Sequence, residues 1–380
     1  MEKEIYLDNA ATTKMRKEVL DDMLPYMMDH YANASAIYDF ANPSKVAIAN
    51  ARRQIAKVLN ASSDEIYFTS GGTESNNWVI KQVSNMKKSE GKHIITSKVE
   101  HHSVELACKY LEKEGYEITY LDVDSKGRID LSQLENSIRE DTILISIMFA
   151  NNEVGTIMPI KEIGRIARKH NVLFHTDAVQ AFCHLDIDVK DMNIDFLSSS
   201  AHKYNGPKGV GFLYMRNGLS VLPHIHGGSQ EKNLRAGTYN VPGIVGMGKA
   251  VQIASSQMES MIASITKKRD YMIDRIQREI PNIILNGCSE KRLANNISIC
   301  IKGVRGIDVV NEMSKNHIYI STGSACNSTQ ILPSHVLLAM GVKEELALGS
   351  LRITLGDDIN YDEIEYVIGE LTDTIEYLRS

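Results

Sequence analysis

A lysine set among small hydroxyl residues and glycines follows an apolar strand-like run in Ser198-Ser199-Ser200-Ala201-His202-Lys203-Tyr204-Asn205-Gly206-Pro207-Lys208-Gly209. Most lysines are solvated surface charges. Here the neighbours suggest an amine held for imine chemistry, with Ser200 and His202 beside it to bind a phosphate. The other half of the reading is Asp177, which closes the apolar run Asn171-Val172-Leu173-Phe174-His175-Thr176-Asp177 and so falls at the C-terminal end of a buried strand. In open α/β sheets ligands bind along that edge. Pyridoxal phosphate demands a lysine for its Schiff base and an acid for its pyridinium nitrogen. Lys203 and Asp177 meet that demand if their strands lie close together.

Other segments end strand-like runs in polar groups. Thr69-Ser70-Gly71-Gly72-Thr73-Glu74 places two glycines between a strand and a helix, where free backbone N–H groups and the Thr73 hydroxyl can hold a phosphate; a plain tight turn with a capping hydroxyl fits as well. In Lys98-Val99-Glu100-His101-His102-Ser103 the earlier histidine, His101, is placed to stack on a planar cofactor and exchange protons, or simply to cap a helix. Asn151-Asn152 before a turn offers amides to a ring oxygen or a carboxylate. Arg352 lies inside the apolar run Gly349-Ser350-Leu351-Arg352-Ile353-Thr354, so it needs either an internal salt bridge or a carboxylate ligand to clamp.

The chain has five cysteines, Cys108, Cys183, Cys288, Cys300 and Cys326, without Cys-x-x-Cys spacing, which excludes a disulfide framework or a zinc ribbon as the organising device. Cys108, Cys183 and Cys300 sit in apolar patterns and read as core residues, and Cys288, after Asn286-Gly287, reads as near the surface. Cys326 differs, because Ser321-Thr322-Gly323-Ser324-Ala325-Cys326-Asn327-Ser328-Thr329 is small and polar throughout, the setting of an accessible thiol that acts as a nucleophile once ionised.

The elements that must position these groups alternate. Strand-like runs at Glu65-Ser70, His93-Ser97, Glu117-Val123, Thr142-Ala150, Val172-Asp177, Phe196-Ser200 and Gly209-Met215 are separated by helix-like segments such as Glu74-Met86, Val104-Glu114 and Ile160-His170. That alternation predicts an α/β fold with a mostly parallel sheet covered on both faces. From Val245 to about Ile280 the periodicity predicts one long helix or two in series, joining a second α+β unit. The formal net charge of −6, with no block of five like charges, excludes a direct nucleic-acid footprint, and neither a G-x-G-x-x-G fingerprint nor a Walker A motif is present. No apolar run approaches a membrane span, and the charged start Met1-Glu2-Lys3-Glu4-Ile5 lacks a secretory core, so a cytoplasmic protein without membrane contact is expected.

Together with Tyr6-Leu7-Asp8-Asn9-Ala10-Ala11-Thr12-Thr13, Glu100-His101, Asn151-Asn152-Glu153-Val154-Gly155, His175-Thr176-Asp177-Ala178-Val179-Gln180, Ser200-Ala201-His202-Lys203, Gly323-Ser324-Ala325-Cys326 and Ser350-Leu351-Arg352, the chain resembles the cysteine desulfurases of the class V aminotransferase group. The resemblance spans nearly the whole length. It implies pyridoxal-phosphate-dependent transferase fold type I: a large domain over 15–255 with a seven-stranded, mostly parallel sheet, and a small domain from 1–14 and 256–380 carrying the cysteine loop. It further implies a cofactor site of Gly72, Thr73, His101, Asn152, Asp177, Gln180, Ser200, His202 and Lys203, completed by Thr238 of the neighbouring subunit in a homodimer. Asn152 and Arg352 would bind the carboxylate of L-cysteine, and Lys203, His101 and Cys326 would carry the chemistry. The sulfur would pass to an acceptor protein such as an iron–sulfur scaffold or a tRNA-thiolation protein. No metal is implied for catalysis, although Cys326 could ligate a transferred iron–sulfur cluster. A selenocysteine lyase or a class V aminotransferase would keep Lys203 and Asp177, and a non-catalytic sulfur-relay scaffold would keep only the fold. The chain departs from the family in Asn33-Ala34-Ser35-Ala36-Ile37-Tyr38, where relatives carry Asn-Pro-Ser-Ser and then a histidine.

Overall fold

The computed structural model describes residues 4–219, 221–323 and 332–380. In chain order the strands are β1 (Ile5–Tyr6), β2 (Ile66–Thr69), β3 (His93–Ser97), β4 (Glu117–Leu121), β5 (Thr142–Ser146), β6 (Leu173–Asp177), β7 (Phe196–Ser200), β8 (Gly211–Met215), β9 (Ile283–Leu285), β10 (Asn296–Ile301), β11 (Ile318–Tyr319) and β12 (Ser350–Thr354). The helices are α1 (Lys17–Met28), α2 (Asn42–Val58), α3 (Gly72–Met86), α4 (His102–Lys113), α5 (Leu131–Ser137), α6 (Ile160–Lys169), α7 (Val241–Glu279), α8 (Gly306–Lys315), α9 (His335–Ala339), α10 (Glu344–Ala347) and α11 (Tyr361–Arg379).

A seven-stranded sheet in the order β2-β8-β7-β6-β5-β3-β4 forms the centre of the fold. Its strands run parallel except β8, which is antiparallel to both β2 and β7. Successive side chains of a strand point to opposite faces. Accordingly Phe174, Leu197 and Phe212 enter one core, while Leu173, Phe196 and Leu213 enter the other. Each such burial contributes about 1.5–3 kcal/mol, and with both faces apolar only helices on both sides can cover the sheet. Helices α3 and α4 supply Trp78, Val79, Val83, Val104 and Leu111 to the second face, while α2, α6 and α7 cover the first.

The segment expected as one helix or two is a single helix of 39 residues, α7. Pro242 sits in its first turn, and the Asn240 side chain accepts from the Gly243 N–H at 3.1 Å. Its first half packs Ile244, Met247 and Val251 into the central core, and its second half packs Ile265, Met272 and Ile276 into a separate core built by β10, β12, α8 and α11. That second core also takes Ile5 and Leu7 from the start of the chain, because β1 pairs parallel with β11. The small units are a three-stranded sheet, β12-β10-β9, and the two-stranded β1-β11. No helix among the described residues is long and apolar enough to cross a membrane.

Cys108, Cys183 and Cys300 are buried, as their apolar patterns predict. Cys288 is buried too, contrary to its expected surface position. Gly287, at φ +81°, turns the chain inward against Val154 and Thr156, and the Cys288 N–H then donates to Thr156 Oγ1 at 3.0 Å. That contact joins segments far apart in the chain, so nothing local announces it. In the atypical loop, Ile37 is 98% exposed and Tyr38 is also exposed.

Candidate active site

Asp177 of β6 stands in register with Ser198 of the parallel β7. Both strands therefore end on the same edge of the sheet, and the single 3-10 turn Ala201–Lys203 beyond β7 returns Lys203 over that edge. A cavity of about 810 Å³ opens there, with Lys203, Asp177, His101, Gln180, Asn152 and Arg352 among its lining residues. Gly72, Thr73, Ser200 and His202 line it as well.

The Lys203 ε-amine donates to the backbone carbonyls of Ala10 at 2.5 Å and Ala11 at 2.9 Å. Burial, with Arg352 nearby, pushes its pKa down to about 8, against the opposing pull of Asp177 and Asp8. Gln180 Nε2 donates to the same Ala10 oxygen at 2.9 Å. The segment after β1 is therefore a wall of the site, held in place by residues from the sheet edge.

Asp177 accepts from two neutral donors, the Val179 N–H at 3.0 Å and Asn76 Nδ2 at 2.6 Å. Asn76 Nδ2 also donates to Ser103 Oγ at 2.8 Å. Ser103 Oγ lies 2.8 Å from His101 Nδ1, which also accepts the Ser103 backbone N–H at 3.1 Å. Since Nδ1 accepts, the proton of the neutral ring belongs on Nε2. His101 thus caps α4 and also lines the cavity. Its pKa is held below the usual imidazole value by burial, with Lys203, His102 and His335 adding to that and Asp177 opposing it.

Of its two alternatives, Arg352 takes the internal salt bridge. Its Nη2 pairs with Asp8 at 2.7 Å and its Nη1 donates to the Asn152 carbonyl at 3.2 Å, while Nε is buried without a hydrogen-bond partner among the described residues. Arg352 also lines the cavity.

The glycine turn lines the cavity as well. Gly71, at φ +154°, precedes α3, and a Cβ on Gly72 would stand 2.4 Å from Val179 Cγ2, so this backbone closes on the site as only glycine allows. His202 Nδ1 lies 3.1 Å from Thr12 Oγ1, and burial beside Lys203 and Lys208 lowers its pKa to about 4. The ring is therefore neutral and serves as a hydrogen-bonding group rather than a charge.

Thr238 is exposed and does not line its own chain's cavity. Its segment is tied to the start of α3 by the Arg235–Glu74 ion pair at 2.8 Å. Cys326 lies outside the described residues; Ser321 and Gly323, just before it, line the cavity. Sequence reasoning missed Asn76, Ser103 and Asp8. The signal for Asn76 was available: a polar residue one helical turn past the glycine pair, on the side of α3 that must face the sheet.

The sequence matches the aminotransferase class-V family over residues 5–367. It is 50% identical to cysteine desulfurase IscS of Methanosarcina thermophila, across 100% of this chain and 93% of the relative. It is also 50% identical to cysteine desulfurase IscS of Dictyoglomus turgidum, across 100% of this chain and 96% of that protein. Among solved structures, a NifS-like protein superposes with TM-score 0.93 at 36% identity, covering 99% of this chain and 100% of the other. A structure of SspA in complex with cysteine superposes with TM-score 0.82 at 41% identity, covering 93% and 99% of the two chains.

Proposed function

The chain belongs to the class-V aminotransferase family, and from that premise we propose that it is a cysteine desulfurase, converting L-cysteine to L-alanine and keeping the sulfur as a persulfide on Cys326. The observation that carries this reading is the meeting of Lys203, Asp177 and Arg352 in one cavity.

The residues present fit pyridoxal 5'-phosphate. Among the described residues Asp177 takes only neutral N–H donors, so no cation is paired with it where a ring nitrogen would bind. The lowered pKa of Lys203 leaves a large neutral fraction near pH 8 for Schiff-base formation. The Gly71-Gly72 turn, Thr73, Ser200 and His202 form a cradle for the phosphate, to which Thr238 of a second copy would add its hydroxyl. When bound, the cofactor supplies the electron sink for cleaving the substrate Cα–H bond and releasing its β-sulfur.

The chain's own groups do the remainder. Arg352, with Asn152, holds the substrate carboxylate from the cavity wall. Lys203 Nζ takes up and returns the Cα proton, and His101, with its proton on Nε2, would contact the cofactor ring and assist that transfer. The Cys326 thiolate attacks the substrate sulfur: a sulfur–sulfur bond forms, the Cβ–S bond breaks, and its electron pair ends in a C–H bond of alanine. In sum, L-cysteine and one protein thiol give L-alanine and one protein persulfide. The persulfide passes to an acceptor protein such as an iron–sulfur scaffold.

The test is the holoenzyme with L-cysteine. It should show visible cofactor absorbance that is lost in Lys203→Ala, and should form alanine and protein-bound sulfur in equal amounts. A colourless protein that forms no alanine would overturn the reading.

A further inference from the structure

At the wall of the cavity, the first turn of α4 and the start of α9 hold a group of side chains that the desulfurase chemistry leaves without a role; His102 and His335 line the cavity and Glu105 stands behind them. His102 and Glu105 lie on one face of α4, and His335 opens α9; the donor atoms of the three lie within 4.8 Å of one another. The imidazole rings of His102 and His335 face each other with centroids 4.8 Å apart and planes inclined by 32°. His102 Nδ1 is 2.9 Å from Glu105 Oε2.

We infer that His102, Glu105 and His335 form a binding site for a divalent transition-metal ion of the Zn2+ class. Two imidazoles and one carboxylate are the borderline donor set that suits zinc and its neighbours, rather than the all-oxygen shells of calcium or magnesium. Three protein ligands with water in the fourth position is the ordinary open zinc arrangement. Bonds of about 2.0–2.1 Å at tetrahedral angles put ligand atoms roughly 3.3 Å apart, so side-chain rotation alone closes the group.

The outer contacts suit that role. His335 Nε2 lies 3.0 Å from the Glu100 carbonyl and donates to it, which leaves Nδ1 as the nitrogen with a free lone pair. A ligand histidine commonly gives its other N–H to a backbone carbonyl in this way. Lys109 holds the other carboxylate oxygen, Oε1 of Glu105, at 2.5 Å, so an ion at Oε2 displaces the His102 contact and not the Lys109 one. The two histidines bind as neutral rings and Glu105 as a carboxylate, leaving one net positive charge. The ion would link α4, whose cap is His101, directly to α9, which is otherwise far away in the chain.

The test is Zn2+ titration of the pyridoxal-phosphate holoenzyme in a Cys326→Ser background, which removes the Cys326 thiol as a rival ligand, with a chromophoric chelator as competitor. One equivalent should bind at micromolar concentration or below, and Co2+ in its place should give a ligand-field spectrum without thiolate charge transfer. His102→Ala changes an exposed side chain and threatens the fold least; it should weaken binding by at least ~100-fold, the upper end of what losing a supporting contact costs. His335→Gln, which keeps the donor to Glu100, should do the same. Absence of stoichiometric binding, or binding equal in the parent and both variants, would overturn the proposal.

Discussion

Asn76 Nδ2, on the second turn of α3, donates to Asp177 Oδ2 at 2.6 Å at the end of β6. One amide thereby ties the helix that follows the glycine turn to the carboxylate on the cavity floor, and its second hydrogen bond, to Ser103, extends the tie to His101. Asn76→Ala should leave a buried carboxylate oxygen without that donor, costing about 1–3 kcal/mol. Chemical denaturation would measure the loss, and cofactor affinity should fall with it. Asn76→Asp, which puts a like charge against Asp177, should be the worse of the two in both measurements.

Lys203 must be neutral to attack an aldehyde, and its pKa is lowered to about 8 chiefly by burial and then by Arg352. The rate at which apoenzyme takes up pyridoxal phosphate should therefore rise with pH and level off above about 8. Removing a cation that disfavours the charged amine raises its pKa, so Arg352→Leu should move the midpoint upward. Stopped-flow absorbance across pH 6–10 would check both, and a profile that ignores Arg352 would contradict the electrostatic account.

Glu100 is fully buried and its pKa is raised to about 8 by desolvation, against the hydrogen bonds from Ser97 and Met148 and with Asp177 adding to the rise. The folded state thus holds a proton that the unfolded state releases above about 4.5. The stability this contributes is complete below that lower value and is lost as pH rises through about 8. Glu100→Gln removes the titration, so its stability relative to the parent should increase between pH 5 and pH 9, as urea midpoints would show.

Cys326→Ala should retain the visible absorbance of the bound cofactor, because Lys203 and Asp177 are untouched, yet lose persulfide formation. Alanine release and cyanolysable protein sulfur measured together separate the two functions. Alanine and acceptor-bound sulfur forming at the normal rate would show that another group is the nucleophile.

Local pattern carries much of this protein. Apolar runs ended by polar residues, with Gly71-Gly72 between a strand and a helix and Pro159 before α6, are enough to place the strands of the central sheet and several of its helices, because period and turn chemistry are properties of neighbouring residues. Lys203, Asp177 and Cys326 stood out on the same ground, since each breaks the pattern around it.

What the sequence could not decide is what meets across the fold. That Asp8 pairs with Arg352, that Asn76 reaches Asp177, that Cys288 turns inward, and that His102 and His335 face each other all depend on strand order and on how α7 joins the two cores. The depressed pKa of Lys203 belongs with these, because desolvation is set by everything packed around the amine and not by its neighbours along the chain.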